Sequence, residues 1–139
     1  AEAGKGRGVK KGDYIVRVNG ISNDAELMLE EALTHRRLEM LVTPAVVYTI
    51  RVDKPTPSLG CSINYDFNVG TSLLIEKVKR GGPVEAWNQA NPDRPVLRND
   101  RILSVDGRRG TSRELLETIK QRKGTVEITL SRPKWMPEK

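Results

Sequence analysis

The chain carries the same residue pattern twice, with the two copies 87 residues apart. The shared positions are Val9, Asp13, Ile15, Val18, Gly20, Leu29 and Glu30 in the first copy and Val96, Asp100, Ile102, Val105, Gly107, Leu116 and Glu117 in the second. Internal repetition of this kind indicates recurring structural units. Because the first copy begins in mid-unit, the sequence predicts half a unit over residues 1–43, a complete unit over 46–133 and an extended tail over 134–139.

Apolar alternation and helix-capping residues predict the secondary structure along the chain. Strands are predicted at residues 14–18, 38–42, 46–52, 61–66, 73–78 and 125–130, and helices at 25–34, 83–87 and 111–120. Asp24 is suited to cap the first helix, and either Thr111 or Ser112 the last. Pro83 lies in a favoured first-turn position. This order of elements predicts a mixed α+β fold.

The cysteine and histidine counts restrict the chemistry that the chain can perform. Cys61 is the only cysteine and His35 the only histidine. An internal disulfide and a cysteine-rich zinc site are therefore excluded. The sequence also lacks a glycine-rich phosphate loop and a nucleophile–base–acid set. We expect a protein that is not an enzyme and that uses no metal or cofactor.

The net charge of +6 lies entirely in residues 44–139, because residues 1–43 contain seven basic and seven acidic side chains. Basic surfaces attract anionic partners in general. Aromatic residues make up only 4% of the chain, which argues against recognition of nucleic acid by base stacking. No apolar run reaches the ~20 residues of a membrane span, and no secretory signal is evident. We expect a soluble intracellular protein, cytoplasmic or organellar, and in one alternative peripheral to a membrane complex.

The segment over residues 54–63 has the pattern of an anion-binding loop that leads into a strand. Two prolines follow Lys54 and restrict the backbone, and Gly60 permits a conformation that a side chain would penalise. Successive backbone N–H groups in such a loop form a concavity suited to an anion. An extended peptide can pair with the open edge of the strand that starts at Cys61, with its terminal carboxylate held in the loop.

The order of the motifs downstream resembles that of a PDZ domain. After the Ser58-Leu59-Gly60 loop come Arg80-Gly81-Gly82-Pro83, the segment from Asn99 to Gly107, a helix from Thr111 to Lys120 and a strand at Val126–Leu130. No single motif is diagnostic, and the resemblance rests on their order and spacing over residues 47–133. It implies a small, partly open β-barrel or sandwich of five to six strands with two helices. The first copy then adds an N-terminal β-α-β half-repeat.

The resemblance also implies a set of site residues. A peptide carboxylate would be bound at Lys54, Ser58, Leu59, Gly60 and Cys61, and the remainder of the peptide groove would be formed by Ile63, Ser112, Leu116 and Ile119. Three of these positions depart from the family pattern: Ser58 replaces a glycine, Cys61 replaces a large apolar residue, and Ser112 replaces a common histidine. Ser112 could contact the ligand or cap its helix, and the sequence leaves both roles open.

The implied function is protein–protein interaction. The complete unit would bind C-terminal or internal extended peptide segments by strand addition, as a scaffold or adaptor. One alternative is a structural subunit of a larger assembly, such as an organellar membrane complex, with its groove unused or self-occupied. A second is the regulatory PDZ region of a protease. In either case residues 1–43 need a covering partner, because we expect Ile15, Val18, Leu29, Leu33 and Leu41 to present an apolar face.

Overall fold

The computed structural model describes residues 9–66 and 69–137. The first eight residues of the predicted half-unit, two residues of a predicted hairpin and the last two of the predicted tail lie outside these ranges. The described elements are β1 (Tyr14–Val18), β2 (Ile21–Ser22), α1 (Ala25–Thr34), β3 (Met40–Thr43), β4 (Ala45–Lys54), β5 (Cys61–Asn64), β6 (Leu73–Val78), α2 (Pro83–Ala90), β7 (Arg101–Val105), α3 (Ser112–Gln121) and β8 (Gly124–Pro133).

The strands form two antiparallel sheets, which together with the helices confirm the mixed α+β class. The smaller sheet has the order β2-β1-β3 and the larger has the order β4-β8-β7-β6-β5. Neither sheet closes into a barrel over the ranges that the structure describes. The chain divides into two compact units: unit 1 comprises Ala1–Val46 with Pro133–Lys139, and unit 2 comprises Val47–Arg132.

Residues that follow β8 group with unit 1. The Lys134 N–H donates to the Pro44 carbonyl at 2.9 Å. The Asn23 side-chain amide donates to the Pro137 carbonyl at 3.4 Å. The described part of the predicted tail is therefore hydrogen-bonded to the rest of unit 1.

Unit 2 has an apolar core between its sheet and helix α3. The fully buried side chains come from every strand of unit 2 except β5, from the loops, from one position on α2 and from two positions four apart on α3. They are Ile50, Val52, Leu59, Leu73, Ile75, Val84, Val96, Ile102, Val105, Leu115, Ile119, Val126, Ile128 and Leu130. Residues four apart share one face of a helix. Leu115 and Ile119 therefore anchor α3 on the sheet.

Three hydrogen-bonded side chains around the buried Asp100 join the first and last strands of unit 2. The Tyr48 hydroxyl donates to Asp100 Oδ2 at 2.5 Å, and Arg132 donates to the same oxygen at 2.7 Å. The Arg132 guanidinium also lies 4.6 Å from the centre of the Tyr48 ring. Burial and the bond to Asp100 raise the pKa of Tyr48 well above its ordinary value, so the phenol stays neutral.

The sequence repeat is matched by repeated backbone geometry. Helices α1 and α3 each have ten residues and are offset by 87 positions. The Lys10 N–H donates to Asp13 Oδ2 at 2.7 Å, and the Leu97 N–H donates to Asp100 Oδ2 at 2.9 Å. Each pattern thus begins with the same aspartate-stabilised turn.

The next strand and turn also repeat. Strand β1 has a register shift between Ile15 and Arg17, and β7 has one at the equivalent position. Asn19 and Asp106 both adopt positive φ, at 47° and 52°. Each accepts a backbone N–H through its Oδ1, from Glu39 at 2.7 Å and from Glu127 at 2.9 Å. Equivalent residues therefore form equivalent local bonds in both units.

The two units differ in what their apolar residues contact. Ile15, Leu29 and Leu33 are 49%, 60% and 76% exposed, as the sequence predicts. The prediction for Val18 is wrong, since this side chain is buried among the elements of unit 1. Leu41 is half-buried. None of the ten residues of α1, all of them described, is buried.

The described helices are short, with at most ten residues each. None of them is long and apolar enough to cross a membrane.

Candidate functional site

Strand β5 is the terminal strand of the larger sheet. It pairs with β6 on one side, with Cys61 opposite Val78 and Asn64 opposite Leu74. On its other side no strand is placed among the residues that the structure describes. The edge of a sheet presents backbone N–H and C=O groups that can pair with another extended chain.

Helix α3 is hydrogen-bonded to the chain on both sides of β5. At its start, the Ser112 N–H donates to the Gly70 carbonyl at 2.8 Å and the Ser112 hydroxyl donates to the Ser72 carbonyl at 2.6 Å. Gly70 and Ser72 follow β5 in the chain. At its end, the Arg122 carbonyl accepts from Lys54, which precedes β5, at 2.8 Å. The helix therefore runs antiparallel to β5, and both of its ends are fixed.

Three of the predicted groove residues on β5 and α3 are partly buried apolar side chains. Cys61, Ile63 and Leu116 pack against the core without being fully covered. Two other predicted site residues, Leu59 and Ile119, are fully buried in the core. Sequence reasoning paired Leu116 with Ile119 and omitted Leu115, although an apolar residue four positions before Ile119 is the expected partner on a core-facing stripe.

The structure gives Lys54 a role that the sequence did not predict. Its side chain is fully buried, and its ammonium donates to the Thr56 carbonyl at 2.9 Å and to the Pro57 carbonyl at 3.1 Å as well as to Arg122. An ammonium has three donors. All three are therefore directed to the backbone, and burial lowers the pKa of Lys54. Lys54 joins the loop before β5 to the end of α3.

Arg122, which follows the last residue of α3, is held by its side chain as well. Its Nε donates to Asp106 Oδ2 at 2.5 Å. Burial raises the pKa of Asp106, but the Glu127 N–H and the Arg122 guanidinium outweigh that effect and hold the pKa of this carboxyl below its ordinary value. The end of α3 is thus fixed by two independent polar contacts.

The loop over residues 58–61 has the glycine conformation that the sequence implied. Gly60 has a φ of 77°, and a Cβ at this position would lie 2.8 Å from the Gly82 Cα. Its carbonyl accepts the Lys79 N–H at 2.8 Å, and the Leu59 carbonyl accepts the Val84 N–H at 3.1 Å. The loop therefore packs closely against the start of α2.

Among the residues predicted to bind a carboxylate, Gly60 has a backbone N–H that already has a partner. The Gly60 N–H donates to the Ser58 hydroxyl oxygen at 3.0 Å. That hydroxyl retains its own proton as a donor, and Ser58 is exposed. Ser58 thus places an O–H donor at the start of the loop.

Ser112 does not cap its helix, one of the two roles that the sequence left open for it. The N-cap of α3 is Thr111, whose hydroxyl accepts the Glu114 N–H at 3.1 Å while the Glu114 carboxylate accepts the Thr111 N–H at 2.9 Å. The Ser112 hydroxyl is buried and donates to Ser72. It fixes the helix to the chain just before β6.

The Cys61 thiol lies at the predicted ligand pocket. Burial raises its pKa to about 11, and the positive charge of Lys79 acts in the opposite direction. The thiol is therefore neutral and behaves as a small apolar wall.

A basic depression lies beside the loop, on the strand next to β5. Its volume is about 450 Å³, and its lining residues are Lys77, Val78, Lys79, Arg80 and Glu85. Three of the five are cations. The sequence analysis did not predict this concavity.

The described residues contain no group of three or more histidine, cysteine, aspartate or glutamate side chains that could hold a metal ion. No family model matches the chain, and no curated protein is significantly similar to it.

We expect Gly60→Ala to lower the free energy of unfolding by ~2–4 kcal/mol, because it adds a steric clash with Gly82 to the strain of a positive φ. Gly107→Ala is the matched control, since Gly107 has the same φ of 77° and open space around it. It should cost only ~1–2 kcal/mol. Chemical denaturation measures both, and equal losses would show that the close approach at Gly60 is unimportant.

We expect Lys54→Met to lower the free energy of unfolding by ~1–3 kcal/mol, because it leaves three backbone carbonyls without their donor. Lys123→Met, at an exposed position one residue beyond Arg122, should change it by less than ~0.5 kcal/mol. Hydrogen exchange at the end of α3 should also accelerate in the Lys54 variant only. Unchanged stability and exchange would contradict the assignment of Lys54 as the link between loop and helix.

The raised pKa of Cys61 predicts its reaction with iodoacetamide. Since only the thiolate reacts, the rate should keep rising roughly tenfold per pH unit up to about 11. In the denatured chain it should level off near an ordinary thiol pKa of ~8.5. A folded-state rate that levels off at the same pH as the denatured one would show that the thiol is not desolvated.

Proposed function

We propose that unit 2 is a non-catalytic peptide-binding module of the PDZ type, which takes the C-terminal or an internal extended segment of a partner protein as an added strand on β5. The observation that carries the proposal is the open edge of β5 beside a helix fixed at both ends. A strand added there would pair with β5 through backbone bonds and place alternate side chains against α3.

The groove walls support a preference for a medium-sized apolar last residue. Ile63 and Leu116 offer partly exposed apolar surface, and Cys61 leaves more room than a large apolar side chain would. Because a short peptide buries little surface and must be ordered on binding, we expect modest affinity.

A different cation from the one implied by the resemblance would attract the carboxylate. Lys54 has its three donors engaged by backbone carbonyls. Lys79 is exposed, and its charge acts on the Cys61 thiol at the mouth of the pocket. We therefore assign the electrostatic role to Lys79, with the Ser58 hydroxyl and the amides of Leu59 and Cys61 as hydrogen-bond donors.

The second candidate function is that of a structural subunit within a larger assembly. The exposed Ile15 and Leu29 of unit 1 favour it, because apolar side chains grouped on one face are usually covered by a partner. In this function the groove of unit 2 would stay empty or be occupied by its own assembly.

Binding of fluorescent peptides to the full chain tests the first function. Peptides ending in Val, Ile or Leu with a free carboxylate should bind at least tenfold more tightly than their amides, because amidation removes the charge that the loop would hold. Leu116→Asp should abolish binding, whereas Leu29→Asp, the equivalent position in unit 1, should leave it unchanged.

Lys79→Met should weaken binding of the free peptide and reduce the difference from the amide, whereas Lys123→Met should do neither. Equal affinity for acid and amide would refute carboxylate recognition. No binding of any peptide in the series would refute the peptide-binding function and leave the structural one.

A further inference from the structure

Unit 1 exposes apolar residues whose counterparts in unit 2 are covered. Ile15 is 49% exposed, whereas the equivalent Ile102 is 1% exposed. Met28 and Ala32 on α1 are only half-buried. Their counterparts on α3, Leu115 and Ile119, are each 2% exposed. The same local fold thus lacks in unit 1 a cover that it has in unit 2.

In unit 2, the cover beside Ile102 is strand β6. Strand β6 pairs with β7, with Leu73 opposite Ile102. The pairing extends upstream, since the Ile75 N–H donates to the Asp100 carbonyl at 2.9 Å and the Asn99 N–H donates to the Ile75 carbonyl at 2.7 Å. The edge of β1 beside Ile15 is the position equivalent to the one that β6 occupies. There, β2 pairs only with Arg17 and Val18.

Leu33 differs from the other exposed residues, because its counterpart in unit 2 is not covered. It is the most exposed apolar residue of α1, at 76%, but its counterpart in unit 2 is Lys120, which is itself exposed. A cover like that of unit 2 would therefore reach Ile15, Met28 and Ala32 and leave Leu33 in solvent. We call Ile15, Met28, Leu29 and Ala32 the unit 1 face.

A second copy of the chain cannot supply this cover by exchange. In the complete unit predicted from the sequence, residues 46–95 form the first half and residues 96–133, which contain the second copy of the repeat, form the second half. Residues 9–43 of unit 1 correspond to a second half. The described residues therefore contain two second halves and one first half. If copies exchanged their first halves, each chain would still have one second half uncovered. An exchange would therefore expose as much apolar surface as it buried, and the hydrophobic effect would not favour it.

We propose that the unit 1 face binds a polypeptide segment of the same kind as residues 46–95. This segment carries a strand that pairs antiparallel with β1 beside Ile15, as β6 pairs with β7, and its alternate apolar side chains cover Met28 and Ala32. The turn that leads into β1 has the conformation seen in unit 2, since Lys10 and Asp13 repeat the bonds of Leu97 and Asp100. The unit 1 face is thus preorganised for a first half. This inference is independent of peptide binding by unit 2.

The experiment supplies such a segment from the chain itself. A second copy of residues 46–95 is fused before Val9 of the chain 9–139, so that Pro95 precedes Val9 as it precedes Val96 in the native sequence. Fusion gives the segment a high effective concentration at the unit 1 face. We expect amide exchange of residues 15–18 to slow by at least a hundredfold, with the product monomeric.

Two substitutions in the fused chain separate docking from non-specific collapse. Ile15→Asp should abolish the added protection, because it places a charge under the docked strand. Leu33→Asp should preserve it, because its counterpart Lys120 is solvent-exposed. In the chain without the fusion Ile15 is 49% exposed and Leu33 is 76% exposed, so neither variant should unfold it.

Three outcomes would overturn the proposal. The first is unchanged exchange of residues 15–18 in the fusion. The second is equal loss of protection in the Ile15 and Leu33 variants, which would indicate collapse without register. The third is concentration-dependent dimerisation of the chain without the fusion together with protection of residues 15–18, which would make a second copy the occupant.

Discussion

The bonds of the Lys54 ammonium to three backbone carbonyls fix the arrangement on which the candidate groove depends. A buried cation is costly unless its donors are all satisfied, and here two carbonyls come from the loop before β5 and one from the end of α3. The same helix is fixed at its start through Ser112. Polar contacts at both ends of α3 therefore set the separation between β5 and α3. The walls of the candidate groove would be the apolar side chains of these two elements.

The two units show how far local bonds alone can specify a structure. The aspartate turn, the strand irregularity, the left-handed residue after the strand and the helix of ten residues recur at equivalent positions. All of these features depend on residues close in sequence or on one neighbouring strand. Burial recurs at Val18 and Val105 but not at Ile15, Met28 and Ala32, because burial at these three positions depends on strands that unit 2 contains and that unit 1 lacks within the described residues.

Sequence reasoning succeeded where a single local rule applies. The bounds of α1 follow from Asp24 as N-cap, and the positive φ of Gly60 follows from the need for a tight loop. The prediction that Val18 is exposed was wrong, because this side chain is buried by neighbours that the sequence pattern does not reveal. For Ser112 it considered only local capping or a ligand, and the actual acceptor is Ser72, forty positions away. For Lys54 it considered the binding of a peptide carboxylate, since nothing in residues 50–60 indicates a bond to the carbonyl of Arg122.

The sequence by itself determined the repeat, the mixed α+β class, most helix and strand positions, and the residues from which a groove could be built. These depend on periodicity, capping and glycine placement, which act over a few residues. Only the tertiary structure decided that β5 is a sheet edge, that Lys54 and Ser112 position α3, that the charge of Lys79 acts on the Cys61 thiol, and that the unit 1 face is uncovered. Each of these depends on which distant groups meet, and hydrogen bonding and burial between distant groups are properties of the fold rather than of the local pattern.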